Sequence, residues 1–316
     1  MREVNIQAQS VGKLCGSIRN HINTHRYQQP LLEDLDNWNQ ICASIDVIED
    51  STLGIYSYSE LDYPDNEGQK YLMLYGVLQS MYLQQDACIH LTEAFGTSYE
   101  LSNRLLDIRY LRNSSIGHPT KEGVKKQTYY NFISRISIEK AGFDLLRYTE
   151  LQPHATVSVD LASMLEDQLA GSIQCLTELD NHLMEKDRQH KEKHGSTKVV
   201  DLFPSATSYF FEKIGQGIRS DSPGERSFGL ANVTVVRDIF EQFRSTLQER
   251  SELHEYTTYD LTEYFFALGK VEEFLSNGGG EEAQRSAGIF LYFLREELAR
   301  YVQIAEEIDR EYEINH

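Results

Sequence analysis

The sequence predicts a mainly α-helical protein, and three observations favour that class. The 316 residues include six prolines and 20 glycines, few for a chain of this length, and these residues interrupt helices. Long runs are rich in Leu, Glu, Gln, Arg and Ala, which favour the helical conformation. Within these runs apolar residues recur every three or four positions, the spacing of one helix face. The sequence therefore favours packed helices over a β-sandwich or β-barrel.

The first half of the chain, residues 1–150, is expected to form one helical domain. Residues 1–28 make a weakly amphipathic arm, and a helix with regularly spaced apolar residues follows Pro30. The strongest apolar stripe covers residues 71–91 and predicts a helix at the centre of the core. Gly96 is expected to close that helix, because glycine commonly follows the last helical turn.

A third helix and a small β-hairpin complete this domain. Ser98 is a good N-cap for a helix that continues through Leu111, and the helix must end before Pro119, because proline cannot continue it. Residues 127–149 change to β-branched and aromatic residues that alternate with more polar ones, which predicts two strands. The turn between the strands is placed at residues 140–142.

The second half, residues 151–316, is expected to form a second helical domain, and its sequence indicates no role for it. A long helix is predicted over residues 159–193, and the segment 195–230, which is rich in Gly, Ser and Pro, is expected to contain a mobile loop. Three further helical patterns follow, and the Gly-rich segment 277–280 is expected to end the second of them.

Composition excludes several classes of protein. Hydrophobic residues make up 40% of the chain, enough for a buried core, so a fully disordered chain is excluded. The sequence lacks an uncharged apolar run of about 18 residues and an apolar N-terminal segment, so we expect a cytoplasmic protein without a membrane partner. The four cysteines are far apart and form no CxxC pair, which argues against a zinc ribbon and a disulfide framework.

The charge of the chain is strongly acidic but unevenly distributed. The formal net charge is −19, which disfavours general binding to nucleic acid, because such binding depends on neutralising phosphates. Residues 104–126 are the exception, with a net charge of +4. Five basic residues of this segment are candidates for substrate binding: Arg104, Arg109, Lys121, Lys125 and Lys126.

The same segment contains a candidate catalytic group of residues: Arg112, Asn113 and His118. Imidazole can accept or donate a proton near neutral pH, and guanidinium can bind a phosphate through two hydrogen bonds. Gly117, directly before the histidine, allows close approach of the backbone. These are the groups that phosphodiester chemistry needs without a metal. The alternative is structural, because Arg112 and His118 could simply stabilise the C-terminal end of a helix.

This arrangement resembles the motif of the HEPN superfamily, Arg followed after four to six residues by His, often with Asn after the Arg. Arg112, Asn113 and His118 match it directly, and the helices of residues 30–150 fit the small helical bundle of that family. The motif is short, and the segment from Arg19 to His25 satisfies it too. We favour the later copy, because a long buried helix and a second amphipathic helix precede it.

The resemblance implies a function and the roles of the residues. Many HEPN proteins are metal-independent endoribonucleases of toxin–antitoxin, abortive-infection and CRISPR-linked defence systems. Their domains pair so that two motifs line one cleft, which implies an RNA substrate, a homodimer and an antitoxin or regulatory partner, with no cofactor. His118 would then act in acid–base chemistry, Arg112 would stabilise the phosphate and Asn113 would orient the site.

Two points about this site stay open at the level of sequence. Asp86, on the preceding helix, is a candidate for orienting Arg112 or His118, with an ordinary surface position as the alternative. Other HEPN proteins only bind nucleotides or partners, so the chain could be a non-catalytic binding module, or an interaction scaffold without a ligand.

Overall fold

The computed structural model describes residues 2–124, 127–149 and 155–313. It is mainly α-helical with one small antiparallel sheet, which confirms the predicted fold class. The chain forms two compact units, Met1–Thr24 with Pro30–Met184 and His25–Gln29 with Glu185–His316. The predicted boundary at residue 150 lies within the first of these units. The domain limits 1–150 and 151–316 stay a prediction, since a compact unit and an independently folding domain are different properties.

Most helices of the first unit lie before its sheet. They are α1 (Arg2–Ile22), α2 (His25–Leu32), whose first turn belongs to the second unit, α3 (Leu35–Glu60), α4 (Glu67–Ala94) and α5 (Asn103–Arg112). The first part of α6 (Leu161–His194) follows the sheet. Leu74, Leu78 and Met81 repeat at helical spacing and are fully or almost fully buried, so α4 lies in the core as predicted.

Helix α5 begins later than its sequence suggests. The sequence predicts Ser98 as the N-cap, but the side chain of Ser102 is the cap and accepts a hydrogen bond from the backbone N–H of Leu105 at 3.4 Å. A cap must stand directly before the first helical residue, and here that residue is Asn103.

Four strands form one antiparallel sheet in the order β1 (Glu122–Val124), β2 (Gln127–Ile133), β3 (Gly142–Tyr148) and β4 (Ala155–Asp160). The pairing of β2 with β3 confirms the predicted hairpin, and β1 and β4 extend it on either side. Gly142 pairs with Asp160, and a Cβ atom at Gly142 would lie 2.1 Å from the carbonyl oxygen of Val159. Only glycine therefore fits where β3 and β4 approach each other.

The second unit is helical, and its core is aromatic. It contains the end of α6, then α7 (Thr207–Arg219), α8 (Pro223–Glu249), α9 (Glu255–Asn277) and α10 (Glu281–Tyr312). The rings of Phe240 and Tyr264 stack with 3.9 Å between their centroids. Gly278 follows α9 with a φ of 70°, so the predicted glycine stop is confirmed.

The segment 195–230, expected to contain a mobile loop, is mostly helical, because α7 and the start of α8 occupy much of it. Its glycines serve helix packing rather than a loop. A Cβ atom at Gly217 would lie 3.2 Å from the Cα atom of Gly229, so the two helices approach closely at these positions. Pro223 lies in the first turn of α8, where a backbone N–H would have no partner within the helix, so the missing N–H of proline costs no hydrogen bond.

In the part of the chain that the structure describes, no helix has both the length and the apolar character needed to cross a membrane.

Candidate functional site

The HEPN-like motif lies where α5 changes its winding. Arg112 is the last residue of α5, and Asn113–Gly117 continue it as one π-helical turn. The backbone N–H of His118 closes this turn by donating to the carbonyl oxygen of Asn113 at 2.7 Å. Pro119 then stops the helix as expected. The turn brings the arginine and histidine of the motif to one helix end.

Neutral groups hold the guanidinium of Arg112. Its Nε and Nη2 donate to the side-chain oxygen of Gln79 at 3.1 and 2.5 Å, and its Nη1 donates to that of Asn113 at 2.9 Å. Its Cζ atom lies 4.4 Å from the centre of the Tyr82 ring. Asn113 therefore contacts Arg112 directly, as an orienting residue would. The contacts of Arg112 with Gln79 and Tyr82 were not predicted from the sequence.

The charge of Arg112 is left uncompensated. Among the described residues no carboxylate forms an ion pair with it. A guanidinium has five N–H donors, and the contacts with Gln79 and Asn113 use three of them. These contacts leave one N–H on each terminal nitrogen, and such donors can bind phosphate oxygens.

Two of the other predicted phosphate-binding arginines are paired. Arg109 donates to the side-chain oxygen of Gln85 at 3.1 Å and forms an ion pair with Asp86. Asp86 thus contacts Arg109, and its role in orienting Arg112 or His118 stays a prediction. Arg104 forms an ion pair with Asp167, although most of its side chain is exposed. Because carboxylates partly neutralise them, these two arginines offer less positive charge to a phosphate than the sequence suggests.

Gly117 allows the guanidinium of Arg112 to lie against the π turn. A Cβ atom at this position would lie 2.9 Å from Nη1 of Arg112 and 3.2 Å from the side-chain oxygen of Asn113. His118 follows directly and is exposed. The backbone of His118 therefore directly follows the glycine against which the guanidinium of Arg112 lies.

The remaining predicted basic residues lie beyond the π turn. Lys121 is exposed, just before β1. Lys125 and Lys126 lie outside the described residues, so their role in substrate binding stays a prediction.

A buried polar network joins the π turn to the sheet. The Oγ atom of Ser114 lies 3.0 Å from both carboxylate oxygens of Glu122 and donates its one proton to that carboxylate. Asn131 and Arg147 donate to one of these oxygens at 2.9 and 2.6 Å. The backbone N–H of Asn131 also donates to the carbonyl oxygen of Pro119 at 2.8 Å. The network therefore fixes the chain on both sides of His118. The sequence shows Glu122 only as a charge within the basic segment.

The earlier copy of the motif has different electrostatics. Arg19 forms ion pairs with Asp46 at 2.6 Å and Glu49 at 2.7 Å. Its charge is neutralised twice, so its guanidinium is poorly suited to bind a phosphate. His25 is engaged by stacking on the ring of His254, with 3.4 Å between the centroids.

Comparison of the chain with protein-family models, curated proteins and solved structures found no match. The geometry of the described residues is therefore the basis for a functional proposal. Within them, the end of α5 combines an uncompensated arginine, a glycine on which it lies and an exposed histidine.

Proposed function

We propose that this chain is a metal-independent endoribonuclease of a prokaryotic defence or toxin–antitoxin system. Its active site contains Arg112, Asn113 and His118. The observation that carries the proposal is the environment of Arg112, whose guanidinium is fixed by two amides and leaves two N–H donors without a carboxylate partner. A fixed cation with free donors suits the charge that develops on a phosphate in the transition state.

The reaction is attack of a ribose 2′-oxygen on the adjacent phosphorus. A new P–O bond forms, the bond to the 5′-oxygen of the next nucleotide breaks, and a 2′,3′-cyclic phosphate and a 5′-hydroxyl result. Arg112 binds a non-bridging oxygen, and Asn113 holds Arg112 in place. His118 either removes the proton from the 2′-hydroxyl or supplies one to the leaving oxygen.

A homodimer supplies the groups that one motif lacks. The base and the acid act on opposite sides of the phosphorus, and one imidazole reaches both only with difficulty. A twofold dimer, the commonest form of assembly, adds a second His118 and a second Arg112 to one cleft. An antitoxin or regulatory protein would then control access to this cleft.

The test is RNA cleavage in EDTA by the wild type and by His118→Ala and Arg112→Ala. Each variant should lose about 10²- to 10⁴-fold in rate, the contribution of a general acid or base. His90→Ala and Arg135→Ala are matched controls, because both residues are exposed and lie outside the motif. Cleavage that requires metal, or full activity in both motif variants, would refute the proposal.

The alternative is a non-catalytic nucleotide- or protein-binding module that uses the same two donors of Arg112. The observation in its favour is that Arg112, not His118, makes the described side-chain contacts of the motif. This module would bind RNA or a nucleotide without cleavage. Binding would be lost in Arg112→Ala and retained in His118→Ala.

A further inference from the structure

The second unit contains a groove between α7 and α10 that is separate in sequence from the HEPN-like motif. Its volume is about 480 Å³, within the range of small-molecule sites. Three arginines line it: Arg219 at the end of α7, and Arg285 and Arg295 on α10. Glu281 is the one acidic side chain among the residues that line it. The groove is thus basic, although the chain is acidic.

The three arginines carry free charge. Many arginines of this chain form ion pairs, such as Arg237 with Glu272 at 2.7 Å. In contrast, neither an ion pair nor a side-chain hydrogen bond joins Arg219, Arg285 or Arg295 to any of residues 2–124, 127–149 and 155–313. Three such guanidinium groups along one groove create a local positive potential that attracts anions.

Contacts between the two helices fix the end of α7, which carries Arg219. The side chain of Gln284 donates to the carbonyl oxygen of Ile218 at 2.8 Å, and a Cβ atom at Gly215 would lie 3.2 Å from Leu291. That Cβ atom would also lie 3.3 Å from Nη1 of Arg219. The side chain of Arg219 therefore runs back along α7 towards Gly215, and its guanidinium lies near the part of α10 that contains Leu291.

The positive charges of the groove are spread over a distance longer than a single phosphate ion. Arg285 and Arg295 are ten residues apart on α10, a rise of about 15 Å along the helix. Arg219 reaches the level between them. This separation favours an elongated ligand with several anionic groups over a single phosphate.

The middle of the groove offers an aromatic ring and open space. Tyr292 lies three residues before Arg295, and 66% of it is exposed. A Cβ atom at Gly288 would meet no described atom within 4 Å, so the groove is unfilled there. An exposed ring beside free arginines can stack on a nucleobase while the arginines bind phosphates.

We propose that this groove binds a nucleoside 5′-polyphosphate, with its phosphates on Arg219 and Arg285 and its base against Tyr292 near Arg295. This binding site belongs to the second unit, and nucleotide binding there does not depend on RNA cleavage by the first unit.

The test measures binding of ATP, GTP, CTP and UTP to the full chain by calorimetry, with tripolyphosphate and adenosine for comparison. At least one nucleotide should bind saturably and more tightly than tripolyphosphate, because the base adds stacking, and adenosine should not bind. The triple variant Arg219→Gln/Arg285→Gln/Arg295→Gln should weaken binding by about tenfold or more, since bidentate phosphate contacts are lost. Arg310→Gln should change it by less than about twofold, as for ordinary surface substitutions, because Arg310 is an exposed arginine of the same helix outside the groove.

Gly288→Leu separates shape from charge. The leucine would fill the groove and keep all three arginines, and it suits a helix better than glycine does. It should also weaken binding about tenfold, since the nucleotide can no longer enter. The absence of saturable nucleotide binding, or an equal loss in Arg310→Gln, would overturn the inference. So would binding that disappears in Arg112→Ala and persists in the groove variants, because the nucleotide would then occupy the HEPN-like motif.

Discussion

The side-chain oxygen of Gln79 accepts two hydrogen bonds from Arg112, from Nε at 3.1 Å and from Nη2 at 2.5 Å. An amide fixes the guanidinium as a carboxylate would, but it does not cancel the positive charge. Arg109, one turn earlier on α5, has the opposite arrangement because Asp86 pairs with it. The two arginines occupy similar positions beside the Tyr82 ring, and their partners set how much charge each can offer to a phosphate.

Gln79→Glu should therefore remove most RNA cleavage while preserving the position of Arg112. The new carboxylate has nearly the same shape as the amide and would pair with the guanidinium, so less charge stabilises the transition state. We expect the rate to fall by about tenfold or more, with a midpoint of urea unfolding no lower than that of the wild type. Gln69→Glu is the control, because it makes the same change at an exposed position of α4. Equal rates for Gln79→Glu and the wild type would contradict the role given to the charge of Arg112.

Gly117→Ala should displace Arg112 from the π turn. The added Cβ atom would lie 2.9 Å from Nη1, so the guanidinium must move and its contact with Asn113 must change. Misplacement of a binding group by about 1 Å can reduce a rate about 10²-fold, and a loss of this order is expected in a cleavage assay. Gly76→Ala is the matched control, since a Cβ atom on α4 there meets no described atom within 4 Å. Normal cleavage by Gly117→Ala would show that the close contact is dispensable.

Arg147→Met should destabilise the first unit strongly. The substitution leaves the carboxylate of Glu122 buried without its cationic partner, and breaking a buried pair on one side costs about 3–5 kcal/mol. The double variant Glu122→Leu/Arg147→Met should recover much of this loss, because no unpaired charge is then buried. Urea unfolding followed by the fluorescence of Trp38, the one tryptophan of the chain, reports on this unit. A double variant no more stable than Arg147→Met would contradict the argument.

The second unit should lose stability as the pH falls from about 6.5 towards 4. Burial lowers the pKa of His190 to about 4, helped by the charges of His194 and Arg26, and burial also lowers the pKa of His194 and of His254. In the unfolded chain these groups titrate near about 6.5, so the unfolded state binds more protons within this range. The contribution of these histidines to stability is therefore fully present above their pKa in the unfolded chain, and it decreases as the pH falls towards their pKa in the folded protein.

The measurement is the thermal midpoint by far-ultraviolet circular dichroism at several pH values. Tryptophan fluorescence does not report on the second unit, since Trp38 belongs to the first. His190→Gln should flatten the dependence between about pH 6.5 and 4, because one titrating group is removed. An unchanged slope in this variant would show that His190 does not contribute.

His25→Ala should leave RNA cleavage within about twofold of the wild type, as for a residue outside the active site. The arginine of this earlier motif is neutralised by Asp46 and Glu49, and His25 itself stacks on His254. The same assay with His118→Ala provides the contrast. An essential His25 together with a dispensable His118 would transfer the site to the first copy of the motif.

The sequence predicts features that depend on local chemistry. Pro119 ends the helix after Arg112, and Gly278 ends α9, because each acts on its own segment of backbone. The partner of Arg112 could not be predicted, since contact with Gln79 depends on how α4 and α5 rotate against each other. Gly217 and Gly229 misled the prediction of a loop for the same reason, because close helix packing and chain flexibility both select glycine.

The π turn at Asn113–Gly117 has a consequence for how such motifs evolve. A π turn accommodates one more residue than an α turn, so an insertion is absorbed where it occurs and does not rotate the rest of the helix. Loss of one residue would return this segment to ordinary α winding and leave the preceding turns of α5 in register. Lineages could thus gain or lose a residue between the arginine and the histidine without remodelling the helical scaffold that carries them.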